Sequence, residues 1–406
     1  MNTFQYTLPN QIRIVHNAVK SDVAHCGFVV NTGTRDENGS EIGIAHFTEH
    51  MLYKGAQDFT AQRIINQIEN VGAEMNAYTT KEETVLYAAV VNSHLERIIK
   101  LMSAMFLQSH FPQNEIDKEL DVILDEIESY NDSPSELIFD DFEALIFAGN
   151  NLGNPILGEK KTLEKMKTKH FKQFISQKYN TDQIVFFSQG NFTGEKILRL
   201  AQKYFGFIAP NVRTFTRTAP TLYRPHEELF TKDTHQSHFV CGNVAYGIHH
   251  EKRLGMYLLN NILGGPGMSS MLNMSLRERN GLVYGVESNY TPLTDTGYWS
   301  VYFACDPEKE MRCEKLLYKE LAKLRNAEIP SLRLHRYKQQ LCGQMAIANE
   351  NQENNVLAMG KRMLHFNNVN SWRNTFAVIE KLTAKQLLDI ANEVFDEKQI
   401  SVLKYE

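Results

Sequence analysis

The chain has 406 residues, of which 42% are hydrophobic and 22% charged, and a net charge of −5. That is the make-up of a globular protein too long for one ordinary core, so two or more domains are expected. The mild acidity gives no footing for nucleic acid or an anionic membrane, and five scattered cysteines, odd in number and without a CxxC pair, argue against a disulfide framework or a thiolate zinc site.

The N-terminal stretch MNTFQYTLPNQIRIVHN lacks a basic-then-apolar signal pattern and reads as two short strands around Pro9-Asn10. No apolar run approaches the roughly 20 residues that cross a bilayer, so a soluble, cytoplasmic protein is expected. HCGFVVNTG (25–33) reads as a strand, followed by helices over about 43–53 and 61–71. MNAYTTKEETVLYAAVV (75–91) reads as a hairpin or two neighbouring strands, and helical patterns fill about 93–108 and 113–147. Strands followed by helices and further strands predict an α+β fold, each sheet mainly antiparallel with helices packed on one face.

An internal repeat divides the chain. LEKMKTKHFKQFISQKYNTDQI from Leu163 aligns without a gap on IEKLTAKQLLDIANEVFDEKQI from Ile379, an offset of 216 residues. Glu164, Lys165, Lys169, Gln183 and Ile184 meet identical residues, and both segments read as a helix running into a closing strand. FVVNTG at Phe28 resembles FVCGNV at Phe239, and the helix from Gly43 resembles one from Gly255. Two homologous domains, 1–212 and 213–406, are therefore expected, with the proline-bearing stretch 208–226 as linker.

Chemistry concentrates in GIAHFTEHMLYKG. On a helix, His46 and His50 stand at i and i+4, about 40° apart around the axis, and can chelate one ion. Glu49 lies beside them, placed to reach a metal-bound water without ligating the metal. Neutral imidazoles leave a zinc ion's charge largely uncompensated, which lowers the pKa of bound water to about 7. Glu49 can then act as general base. HxxEH is the inverted zincin motif. A third ligand is needed, and the acidic helix ELDVILDEIESY offers Glu119, Asp121, Asp125, Glu126 and Glu128. Glu119 and Glu126 share a face, and spacing alone does not choose between them.

On HFTEHMLYKG the chain resembles the insulinase/pitrilysin family of metallopeptidases, and it is most similar to short, two-domain members like the mitochondrial processing peptidase. The resemblance covers nearly the whole chain. It implies a third zinc ligand about 76 residues after the second histidine, which falls on Glu126, and a supporting carboxylate at Glu119. GAEMNAYTTKEETVLY (72–87) is similar to the family's substrate-edge segment, which implies that Asn76, Ala77 and Tyr78 bind an extended peptide by strand addition. LGGPGMSSMLNMSLRERNGLVYGV (263–286) resembles the C-terminal signature, implying that Arg277 and Tyr284 reach substrate and donate to the developing oxyanion. NPILG (154–158) also fits. In the second half, Leu258, Asn261 and Ile262 stand where His46, Glu49 and His50 stand in the first, so only the first half is expected to bind metal, one Zn²⁺ per chain.

These observations predict a zinc-dependent endopeptidase acting on extended or unfolded peptides. The homodimer is implied by the resemblance alone. The rival reading is a non-catalytic assembly or processing subunit of the same family, which would be expected to have lost ligands or base.

Overall fold

The computed structural model describes residues 3–221, 223–232, 234–369 and 372–406. The chain forms two compact units, one of Met1–Ile127, Asn154–Arg217 and Ile347–Ser371, the other of Glu128–Gly153, Thr218–Ala346 and Trp372–Glu406. Each unit thus borrows one segment from the other half of the sequence.

In the first unit, β1 (Thr3–Thr7), β2 (Arg13–Ala18) and β3 (Val23–Val30) precede the short helix α1 (Ile44–Met51). A two-residue ladder of β4 (Gly55–Ala56) and β5 (Phe59–Thr60) leads into α2 (Ala61–Glu69). The hairpin β6 (Glu74–Thr79) and β7 (Thr84–Val91) comes next, then α3 (Leu95–Leu107), α4 (Gln113–Asn131) and, much later, β8 (Ile184–Gly190). The sheet order is β1-β2-β8-β3-β7-β6, antiparallel except for β2 beside β8.

The strands alternate as a two-faced sheet requires. Cys26, Phe28 and Val30 of β3 and Phe186 of β8 pack with Phe106 of α3 and Phe47 of α1. Their neighbours Val29, Val185 and Phe187 point the other way, to Val356, Met359 and Met363 of the helix Gln352–Phe366. Gly360 makes that approach possible, since a Cβ there would lie 2.4 Å from the Phe187 ring.

The second unit repeats the plan. Its strands are β9 (Glu227–Phe230), β10 (Ser237–Ala245), β11 (Val283–Pro292), β12 (Gly297–Cys305) and β13 (Ser401–Tyr405), in the order β11-β12-β10-β13-β9. Read from the other edge this matches β2-β8-β3-β7-β6 strand for strand, including the parallel pair β9 and β13. The repeat found at an offset of 216 is met residue for residue, because the helix Thr168–Lys178 answers Ala384–Val394 and both run into the closing strand. The other face of this sheet is covered by the helix Pro134–Ile146 from the first half of the chain. Helices on one face of a mainly antiparallel sheet thus hold in both units, and the exchanged helix of each packs on the opposite face.

The continuous helical pattern read over about 113–147 is in fact two helices. α4 stops at Asn131, and Pro134 in the first turn of the next helix cannot donate into a preceding one. This break separates the acidic helix of the first unit from the helix that joins the second. All five cysteines are free, and Cys26, Cys241, Cys305 and Cys313 are buried. Among the described residues no helix is long and apolar enough to cross a membrane.

Candidate metal centre

α1 is short and buried along most of its length, with Ile44, Ala45, Phe47 and Met51 packed into the core. Its start is held in an unusual way. Gly43 has φ +96 and Gly158 has φ +86, and the two lie back to back, so that a Cβ on Gly43 would sit 2.6 Å from the Gly158 Cα. This is what the NPILG segment does for the site. The buried Glu37 carboxylate accepts from the backbone N–H of Gly43 at 2.9 Å and of Ala45 at 2.8 Å, which satisfies donors the helix leaves open. Glu37→Ala should strand both amides in the interior at a cost of about 1–3 kcal/mol each. The expected result is a lower denaturation midpoint together with a lower zinc content, read by urea titration and metal analysis.

His46 and His50 leave α1 on the same side, with ring centroids 4.6 Å apart. α4 runs past them, burying Ile116, Glu119 and Ile123. It presents Glu126, whose Oε2 lies 3.9 Å from His46 Nε2 and 3.6 Å from His50 Nε2. One ligand atom from each of these three residues falls within 4.8 Å of the other two. Asp121, Asp125 and Glu128, open as ligands on spacing alone, are outside this group.

Glu119 sits on the far side of the same imidazole. Its Oε1 is 3.0 Å from His50 Nδ1, and its Oε2 pairs with Lys54 Nζ. Donation from Nδ1 to Glu119 fixes the His50 tautomer and leaves a lone pair on Nε2. Burial, with His50 as a lesser neighbour, pushes His46 down to about 3, so this ring is neutral. Its Nδ1 is enclosed without a hydrogen-bond partner. Two imidazoles thus face one carboxylate at separations too long for hydrogen bonds. Such a group is stable with a cation at its centre. Ligands about 2.0–2.2 Å from a tetrahedral zinc are about 3.3–3.6 Å apart, close to the spacing seen, and the donor set of two nitrogens and a carboxylate suits zinc.

Glu49 projects beside this group and accepts from the Thr79 hydroxyl at 2.8 Å. Burial raises its carboxyl above the ordinary carboxylate range, against the opposing pull of Thr79 and His50. Thr79 and Lys54 were missed in the sequence reading. Both lie inside segments singled out for other residues, Thr79 within 72–87 and Lys54 within HFTEHMLYKG.

β6 is the edge strand beyond β7, and it packs beside α1. Its side chains alternate. Met75 and Ala77 pack with the α1 side of the sheet, and Thr79 shares that face. Asn76 and Tyr78 face the opposite side, where Tyr78 meets Tyr87 and the helix Gln352–Phe366. Of the three residues expected to hold a peptide, only Ala77 turns its side chain toward α1, and the other two offer main chain there.

Arg277 and Tyr284 belong to the second unit. Arg277 lies on a π-helical turn, Asn273–Glu278, and lines a cleft of about 450 Å³ beside β11. Its guanidinium is 5.9 Å from the centre of the Tyr284 ring, and Tyr284 is 91% exposed. In the same unit Leu258 and Ile262 are packed into the core, so the duplicate of α1 presents no ligands.

The family model described as Insulinase (Peptidase family M16) matches residues 13–160, and that described as Peptidase M16 inactive domain matches residues 165–341. An uncharacterized zinc protease of Bacillus subtilis is 31% identical over 364 residues, 89% of this chain and 88% of its own length. One from Rickettsia felis is 29% identical, covering 94% of this chain and 92% of that protein. A protease from Helicobacter pylori has the same fold, with a TM-score of 0.92 at 20% identity over 100% of this chain and 99% of that one. A Pseudomonas fluorescens structure described as a peptidase M16 inactive domain also reaches 0.92, at 16% identity over 100% of this chain and 98% of that one. By this likeness along nearly its whole length, the chain belongs to the insulinase family of peptidases, M16.

Proposed function

We propose that this chain is a zinc-dependent endopeptidase that hydrolyses extended or unfolded peptides. The observation that carries the reading is the group of His46, His50 and Glu126 with the Glu49 carboxylate alongside. The names of its relatives, zinc proteases, point the same way. A bound zinc would supply Lewis-acid polarisation of a carbonyl and a lowered pKa for water.

The chain's own residues supply the rest. Glu49 takes the proton of the attacking water and delivers it to the leaving amine. Thr79 fixes one carboxylate oxygen of Glu49 by its hydroxyl, leaving the other as the working atom. Glu119 holds His50 in one tautomer, and Lys54 balances the charge of Glu119. The outer edge of β6 takes the substrate as an added strand, which selects extended backbone and excludes folded protein.

A quenched fluorogenic peptide should be cleaved, with cleavage lost to a chelator and restored by zinc. Cleavage that persists in zinc-free protein would defeat the reading. Arg277 and Tyr284 are assigned to the oxyanion. Tyr284→Phe should lower kcat by about 10²–10³, the loss typical of one oxyanion donor. Zinc content and thermal midpoint should be unchanged, and a loss of zinc would assign Tyr284 a structural part instead.

A further inference from the structure

The edge strand β6 is held from behind by residues that no sequence motif marks. The helix Gln352–Phe366 comes from the second half of the chain and packs in the first unit on the sheet face opposite α1. At the β6–β7 turn it makes a polar grip. Lys361 Nζ lies 2.6 Å from Glu83 Oε2, and His365 Nε2 donates to Glu83 Oε1. Burial would raise the Glu83 carboxyl, yet the His365 hydrogen bond and the Lys361 charge bring it down to about 2. The Lys361 ammonium also lies 5.2 Å from the centre of the Tyr78 ring. Tyr78 is the neighbour of Thr79, which bonds Glu49 on the other face.

The duplicate unit places its exchanged helix the same way. There the helix Pro134–Ile146 covers the equivalent sheet face and sets acidic side chains against tyrosines. Its bonds are Tyr298 to Glu143 and Tyr405 to Asp141, each at 2.6 Å, so they fall on β12 and β13. β12 and β13 answer β7 and β8, which are interior strands. In the first unit the bonds of Lys361 and His365 fall on the turn of the edge hairpin β6–β7.

We infer that Lys361 and His365, acting through Glu83 and Tyr78, are positioning residues that hold β6 in register for an incoming peptide strand. This rests on the reading of β6 as the substrate strand. A strand tied to sheet neighbours on one side only is free to fray or tilt, and a peptide that pairs with it must first meet the cost of ordering it. The grip removes that cost in advance.

The test uses the full-length zinc-loaded protein and a series of fluorogenic peptides of increasing length. Lys361→Met keeps the apolar stem on Tyr78 and removes the charge. It should raise KM about tenfold for the longest peptides, the effect of one charge-assisted hydrogen bond, with little change in kcat. Lys361→Arg should restore KM. Amide hydrogen exchange over residues 74–79 should speed up in Lys361→Met and return to normal in Lys361→Arg, a readout that does not need turnover. Unchanged KM in a variant with fast exchange at β6 would overturn the positioning role. So would unchanged exchange, or a joint fall of zinc content and thermal midpoint that arginine fails to rescue. If the wild-type protein proved inactive on every peptide, the peptidase reading would fail while the exchange result still stood on its own.

Discussion

Glu49→Gln is expected to abolish peptide turnover while leaving zinc in place. Glutamine keeps the size of the side chain and an oxygen able to accept from Thr79, so the local packing and the hydrogen bond at 2.8 Å survive. What it loses is the capacity to take a proton, and a positioned general base typically contributes about 10²–10⁴-fold. Because Glu49 is not one of the three grouped ligand residues, metal content should remain that of the wild type. The pH profile follows from the same side chain. Burial raises the Glu49 carboxyl, so its protonated, inactive form persists above the ordinary carboxylate range near about 4.3. Activity of the wild type should therefore rise with pH as the Glu49 carboxyl loses its proton. The residual rate of Glu49→Gln should lack that acid limb. A variant that cleaves at the normal rate, or that keeps the limb, would take the base assignment away from Glu49.

How far the sequence foretold this arrangement depended on whether the determining contacts are local. α1, with His46, Glu49 and His50, was legible because helical spacing alone places them together. The β6–β7 hairpin was legible from alternation, and the duplication from an ungapped repeat that the strand order reproduces. The choice between Glu119 and Glu126 was not local. Both lie on one face of α4, and only the path of that helix past α1 decides which meets the open nitrogens. The exchange of the helices Pro134–Ile146 and Gln352–Phe366 was also hidden. Their apolar faces show that they are covered but not by which sheet. The break at Pro134 is masked in the sequence because the apolar pattern runs on through it. Glu37, Lys54 and Thr79 leave no mark for another reason: Glu37 acts by two hydrogen bonds to backbone amides, Lys54 by one ion pair and Thr79 by one hydrogen bond, and none of these sets a period in the sequence.

Glu126→Ala and Glu119→Gln together should separate ligand from support. Glu126 brings one oxygen toward both Nε2 atoms, and without it the ion would be held by two neutral imidazoles and solvent. Glu119 bonds His50 on its Nδ1 side, away from that lone pair, so its carboxylate orients the ring and cannot share the ion with Nε2 of the same imidazole. Outer partners of this kind typically cost about 10–100-fold in metal affinity or activity when removed. Glu119→Gln should fall in that range, with zinc still present after purification. Glu126→Ala should go beyond it, losing zinc on dialysis and dropping turnover to background. Stability should follow the metal. An ion that binds only the folded state adds RT ln(1 + [L]/Kd), about 2.7 kcal/mol at 100 times Kd, so added zinc should raise the wild-type denaturation midpoint and leave that of Glu126→Ala nearly unmoved. If Glu119→Gln lost the metal and Glu126→Ala retained it, the two carboxylates would have to exchange roles, and α4 would have to present itself to α1 one heptad away from where it lies.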